Sequence, residues 1–286
     1  MVIFKKTADY LRFIKFSHSV FAFPFAFTAA LIAADGIPSL HKIVWITVAM
    51  VSGRSGAMGM NRIADRKIDA LNPRTENREI PKGIVKIRDA WCFTIVAFAF
   101  LLLSAYMLNP LCFKVSPLVL FVLFIYSYTK RFTWLCHLVL GSALALAPLC
   151  AWIAVRGTFD VKILPLSLAV MFWVAGFDIL YGLQDMEFDR KQGLYSIPKV
   201  FGIKTSLWIA RVFHMFTIGF LLSLGYLFEL SNLYLIGVLI ASGLMLYEHS
   251  LVKPTDLSKL DMAFFNMNGY ISITVFVFTL FNYLIP

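Results

Sequence analysis

The sequence predicts an all-α, polytopic membrane protein in which nine transmembrane helices form a bundle around a central cavity. Of its 286 residues, 60% are hydrophobic and only 15% are charged, a balance unlike that of soluble domains. Apolar runs of about 18 residues or more recur along it, each long enough to cross a bilayer as a helix. Proline or glycine marks most joins between the runs: Gly36-Ile-Pro38, Asn109-Pro110, Arg156-Gly157 and Lys253-Pro254. The formal net charge of +10 is accounted for by basic loops beside anionic lipid, without invoking nucleic acid.

In order, the spans are expected near 13–33, 40–60, 90–108, 116–131, 134–155, 163–184, 206–228, 231–250 and 264–284. The first follows Lys5 and Lys6 and ends in small residues (28–34), as a signal peptide does. It runs long for a signal-peptide core and reads as a retained helix. Pro24 and Pro148 fall inside spans and are expected to kink them. The chain reads as one integral-membrane domain, 1–286, of two four-helix blocks (about 1–131 and 134–250) plus a ninth helix at 264–284.

Orientation is set by the basic residues. With the N-terminus cytoplasmic, 20 of the 26 lysines and arginines lie on the inner side and four (Lys42, Lys114, Arg156, Lys162) on the outer; Arg54 and Arg211 fall within spans. The positive-inside rule selects this topology. The four cysteines (Cys92, Cys112, Cys136, Cys150) stand singly. With no Cys-x-x-Cys spacing among them, they indicate neither a zinc site nor a disulfide framework. The five histidines are scattered and carry no assigned role.

Two acidic patches break the apolar pattern. Asn61, Asp65 and Asp69 are spaced i, i+4, i+8, so a helix stacks them on one face. Far downstream, Asp178, Asp185 and Asp189 fall at i, i+7 and i+11, again expected on one helical face. The patches occupy the same point of their respective blocks, after the second and at the end of the sixth span, and are expected to face each other at the cytoplasmic surface. Oxygen-bearing side chains in such a pattern suit a hard cation such as Mg²⁺, which takes one or two carboxylates plus substrate phosphates. Acids in proximity repel unless cations lie between them.

Arg74 and Arg78 come after the first patch, and Lys130 and Arg131 close the fourth span. Basic groups beside acid-bound metal are a recurrent way to hold departing phosphates. Phe177, Tyr181, Tyr126, Tyr128 and Phe188 lie close to the charged residues in sequence, and aromatic faces stabilise a neighbouring cation. These features together describe a diphosphate that ionises beside a dry aromatic wall.

The stretches 61–83 (Asn-Arg-Ile-Ala-Asp-Arg-Lys-Ile-Asp through Asn-Pro-Arg-Thr-Glu-Asn-Arg-Glu-Ile-Pro-Lys-Gly) and 178–189 (Asp-Ile-Leu-Tyr-Gly-Leu-Gln-Asp-Met-Glu-Phe-Asp) resemble the UbiA-type intramembrane prenyltransferases. Span count, length and motif placement extend the resemblance over essentially the whole chain. It implies Mg²⁺-dependent transfer of a polyprenyl group from its diphosphate to an aromatic acid, 4-hydroxybenzoate or a dihydroxynaphthoate, in ubiquinone or menaquinone biosynthesis. It implies that Asn61, Asp65, Asp69, Asp185 and Asp189 hold the metal. The catalytic set would be Asp65, Asp69, Asp185, Asp189 and Lys130, with Arg74, Arg78, Lys130 and Arg131 on the diphosphate. Arg54, Asp178 and Tyr126 would take the acceptor, a guanidinium being able to clamp a carboxylate through two hydrogen bonds.

The chain departs from the family pattern at Arg62, where many members have an aspartate. This Asn-Arg variant looks more like the branches that feed menaquinone. The expected setting is the inner membrane of a bacterium with the site open to the cytoplasm, and no obligate protein partner. The alternatives are a relative with another acceptor, such as haem or a chlorin, and a secondary transporter, which more often carries its charges at mid-membrane.

Overall fold

A computed structural model describes residues 9–15 and 21–285, and all regular structure in it is helical. The helices are α1 (Ala22–Ala34), α2 (Leu40–Leu71), α3 (Ile87–Leu108), α4 (Pro110–Thr129), α5 (Cys136–Arg156), α6 (Leu164–Gly182), α7 (Met186–Lys191), α8 (Ile197–Leu227), α9 (Asn232–Leu251) and α10 (Asn268–Leu284). Tight 3₁₀ turns precede and follow α6, and a π-helical turn, Met262–Met267, leads into α10. Among the described residues, eight continuous helices are long and apolar enough to cross a membrane. The chain is therefore a multi-pass membrane protein. α1 is apolar but has 13 residues; residues 16–20 of the expected first span lie outside the described residues.

Besides α4, which begins at Pro110 and not near 116, two span boundaries differ from expectation. α2 was expected to close near residue 60 but continues to Leu71 as a helix of 32 residues. At 1.5 Å per residue that is about 48 Å, well beyond the roughly 30 Å of a hydrocarbon core. No proline or glycine interrupts 61–71, and the helix stops only at Asn72-Pro73, because the residue before a proline is driven out of the helical region. At the other end of the chain, α8 begins at Ile197 and not at 206. The hydroxyl of Ser196 caps it, and Gly202 at φ 74° breaks its first turns from the rest. Pro24 stands in the first turn of the described α1, where no intrahelical acceptor exists for the N–H it lacks.

The chain packs as two compact units. Residues 9–15 join 44–128 in the first, and residues 21–43 join 129–285 in the second. In the first unit, Gly59 lets α2 and α3 approach closely: a Cβ there would meet Thr94 Oγ1 at 2.3 Å. Small residues at such contacts are how membrane helices pack without a hydrophobic driving force. Phe13, Ile14, Ile63, Val85 and Ala90 form a buried core that ties the N-terminal segment and the 72–86 loop to α2 and α3.

In the second unit α6 is the central helix, packed on α5 and α8, while α1 packs on α5 and α10. Trp173 of α6 is fully buried and its ring lies 4.9 Å from that of Phe25 and 5.0 Å from that of Phe177. This unit also buries a polar knot. Asn268 Nδ2 donates to Glu248 Oε1 at 3.2 Å, and the rings of His214 and His249 are joined by a 3.0 Å hydrogen bond.

Candidate active site

The first acidic motif lies on unbroken helix, so its stacking is as expected. Asn61 Nδ2 donates to Asp65 Oδ2 at 3.0 Å, one turn apart. Asp69, a turn further, is buried, and Arg78 Nη1 contacts its Oδ1 at 2.7 Å. The sequence that ends α2 is also what returns the chain to deliver Arg78. Asn72 Oδ1 accepts from the Arg74 backbone N–H at 2.9 Å, and the Thr75 hydroxyl donates to the Asp69 carbonyl at 3.1 Å. Arg74 itself is exposed. Asp69 Oδ2 is buried with no hydrogen-bond partner among the described residues.

Arg54 lies two turns before Asn61 on α2, half-buried, with its Nε shielded and unpartnered among the described residues. Between them, the Tyr126 hydroxyl donates to the Ala57 carbonyl at 2.9 Å. Arg62, where the family resemblance anticipates a carboxylate, is buried and donates through Nε to the Phe13 carbonyl at 3.2 Å. It fastens the N-terminal segment to the acid-bearing helix. The ammonium of Lys15, two residues after Phe13, is pushed down to about 8 by burial, then by Arg78, Arg62, Arg74 and Arg54. Four guanidiniums within Coulombic reach of one ammonium make this end of the unit strongly attractive to a polyanion.

The second motif is not one straight helical face. The 3₁₀ turn Leu183–Asp185 separates α6 from α7, and three residues at 120° instead of 100° rotate the next helix by roughly 60°. Asp178, before the turn, has a different partner from Asp189 after it. His137 Nδ1 lies 2.7 Å from Asp178 Oδ2. Asp185 is buried within the turn. Asp189 is fully buried; Lys130 Nζ lies 2.7 Å from Oδ1 and the Ser196 hydroxyl donates to Oδ2 at 2.8 Å.

The loops around Asp189 are bonded to each other. The Tyr195 N–H donates to the Lys130 carbonyl at 2.7 Å, and Leu194 N–H to the Asp189 carbonyl at 3.0 Å. Burial pushes the Lys130 ammonium down, but the Asp189 carboxylate beside it outweighs that and raises it above its ordinary value. Arg131 is half-buried next to it.

Of the aromatic residues near the motifs, Phe177, Tyr181 and Phe188 belong to the second unit and Tyr126 and Tyr128 to the first. Phe177 packs against Phe21 and Phe264, and Tyr181 stacks on Phe264 with ring centroids 4.1 Å apart. Tyr128 pairs with Phe124, while Phe188 is half-buried. His137, Ser196 and Lys15 were not anticipated as site residues. Ser196 carries a sequence signal, a serine before Ile-Pro at a helix start. For His137 there was none, since its partner is 41 positions away.

In each unit a base lies beside one of the motif acids, Arg78 beside Asp69 and Lys130 beside Asp189. Among the described residues no three His, Cys, Asp or Glu side chains group closely enough to hold a metal ion. The donors nonetheless fit Mg²⁺. They are all oxygens, a buried carboxylate oxygen of Asp69 has no partner among the described residues, and this ion asks for few protein ligands when phosphates supply the rest.

Residues 22–270 match the model of the UbiA prenyltransferase family. The chain belongs to this family. Among curated relatives of this UbiA-family chain are 4-hydroxybenzoate octaprenyltransferases of Vibrio parahaemolyticus, 32% identical over 86% of each chain, and Vibrio campbellii, 31% identical over 87% of each. The structure of an apo UbiA homologue from Aeropyrum pernix K1 superposes with a TM-score of 0.84 at 29% identity, covering 91% of this chain and 96% of that one. A UbiA homologue from Archaeoglobus fulgidus, bound to GPP and Mg²⁺, shares the fold with a TM-score of 0.66 at 19% identity over 93% of this chain and 99% of that one.

Proposed function

We propose that this UbiA-family prenyltransferase moves a polyprenyl group from its diphosphate onto a ring carbon of 4-hydroxybenzoate, in the membrane-bound part of ubiquinone synthesis. The observation that carries the reading is the 31–32% identity to 4-hydroxybenzoate octaprenyltransferases across 86–87% of both chains. The pairing of Asp69 with Arg78 and of Asp189 with Lys130 supports it. Each pair sets an acid suited to metal beside a base suited to phosphate.

In this reading Asn61, Asp65, Asp69, Asp185 and Asp189 hold Mg²⁺, which would neutralise the charge that develops on the leaving diphosphate. Arg78 and Lys130 turn from their carboxylates to the diphosphate oxygens, joined by Arg74 and Arg131. Phe177 and Tyr181 face the allylic cation and keep water from it. Arg54 clamps the carboxylate of the acceptor, with Tyr126 beside it. The excess of basic residues on one side of the spans supports an N-terminus and site facing the cytoplasm of a bacterial inner membrane. A dihydroxynaphthoate is the second acceptor, favoured by the Asn61-Arg62 variant with Asn72-Pro73-Arg74-Thr75 downstream.

The test is product mass spectrometry on membranes containing the protein, given a polyprenyl diphosphate and an equimolar mixture of 4-hydroxybenzoate and 1,4-dihydroxy-2-naphthoate. Prenylated 4-hydroxybenzoate is expected, and its formation should stop with EDTA and in Asp65→Asn or Asp185→Asn. Prenylated naphthoate alone would reassign the acceptor. Turnover surviving thorough chelation would end the metal-assisted mechanism.

A further inference from the structure

The transfer releases a proton from the ring carbon that is alkylated, and none of the groups assigned above to the metal, the diphosphate or the allylic cation receives it. Most of the motif acids are already committed: Asp69 to Arg78, Asp189 to Lys130 and Ser196, and Asp65 to Asn61. Asp178 differs in being held by an imidazole, His137 Nδ1 at 2.7 Å from Oδ2. The imidazole is shielded, 5% exposed in its side chain, whereas Asp178 is 25% exposed. On its far edge the His137 ring lies close to Gly182. A Cβ at Gly182 would meet its Cε1 at 3.1 Å, and its Nε2 is buried without a partner among the described residues.

Its neighbour Cys136 donates through sulfur to the Tyr195 carbonyl at 3.5 Å, while the Tyr195 N–H bonds the Lys130 carbonyl. The histidine therefore sits on the same bonded frame as the lysine assigned to the diphosphate. Asp178 directly follows Phe177 and lies about one helical turn before Tyr181, which stacks on Phe264. A carboxylate held at one oxygen by a buried imidazole, with no hydrogen bond to its other oxygen among the described residues, is the arrangement expected of a positioned general base.

We propose that Asp178 accepts the ring proton during prenyl transfer and that His137 is its positioning residue; this rests on the prenyl-transfer reading above. As the allylic C–O bond breaks, its electron pair leaves with the diphosphate. The ring carbon forms the new C–C bond to the allylic carbon. The ring C–H bond then breaks, its electrons restore the aromatic ring, and the proton goes to Asp178 Oδ1. His137 holds Oδ2 throughout and touches no substrate.

The experiment compares 4-hydroxybenzoate with its 3,5-dideuterated form in membranes supplied with a polyprenyl diphosphate and Mg²⁺. It uses native protein, Asp178→Asn, His137→Ala and His137→Gln, each normalised to inserted protein. Asp178→Asn is expected to lose about 10²-fold or more in kcat. His137→Ala should lower kcat with little change in KM and show a larger deuterium isotope effect than native protein. His137→Gln, which can still donate to Oδ2, should recover part of both. An isotope effect no larger in His137→Ala than in native protein, whatever its rate, would overturn the positioning role. A full rate in Asp178→Asn would overturn the proton acceptor. Absence of any prenylated product from the native protein would instead refute the prenyl-transfer reading itself.

Discussion

Breaking the ion pair between Lys130 and Asp189 should cost stability as well as activity, and its size can be worked from the structure. Asp189 is fully buried, whereas the Lys130 side chain is 35% exposed. Removing one partner of a wholly buried pair costs about 3–5 kcal/mol, because the charge left behind has no compensation. Here water reaches the lysine end and Ser196 continues to donate to the carboxylate, so Lys130→Met should cost about 2–3 kcal/mol. Asp189→Asn leaves the more exposed partner unpaired and should cost less. In the double variant no stranded carboxylate remains, so its loss should fall short of the sum of the singles by about 1–2 kcal/mol. Thermal unfolding of detergent-solubilised protein measures all four, while prenyl transfer should be lost in each variant. Additive losses, or a Lys130→Met variant as stable as native protein, would refute the claim that this pair holds the loops around Asp189.

Three further outcomes are expected. Gly59→Leu should force α2 and α3 apart, since its first added carbon meets Thr94 Oγ1 at 2.3 Å; overpacking of this kind should cost about 1–3 kcal/mol in unfolding measurements, and an unchanged melting temperature would contradict the close approach. Arg54→Lys should raise the acceptor's KM by roughly tenfold, the equivalent of one lost charge-assisted hydrogen bond, with kcat much less affected; an unchanged KM would remove Arg54 from the acceptor site. Lys15 gives a pH dependence. Its folded value is lowered to about 8 against an ordinary 10.5, so between these values the unfolded chain binds more protons and native stability rises with pH. In Lys15→Met that rise should flatten, and an unaltered stability–pH curve would show that the ammonium is not confronted by the arginines.

The sequence carried the fold class because hydrophobic runs and charge asymmetry are local properties. Spans from Ile87–Leu108 onward were placed to within a few residues in most cases by apolar length alone. The stacking of Asn61, Asp65 and Asp69 was legible for the same reason: helical periodicity fixes neighbours one turn apart. Where α2 ends was misjudged, since hydropathy marks the edge of the apolar run and not the end of the helix. Asn72-Pro73 was the better signal. In the second motif, spacing assumed constant helical rotation, which the 3₁₀ turn at Leu183–Asp185 denies.

By itself the sequence determined that this is a helical membrane protein of the UbiA type, which residues bear its charge, and which of those share a turn of helix. Only the tertiary structure decided the partners: Arg78 for Asp69, Lys130 and Ser196 for Asp189, His137 for Asp178, and Phe13 for Arg62. A helix dictates contacts three and four residues away. These contacts join residues from 7 to 59 positions apart, and what brings them together is how loops close and helices pack, to which no local pattern in the chain is sensitive.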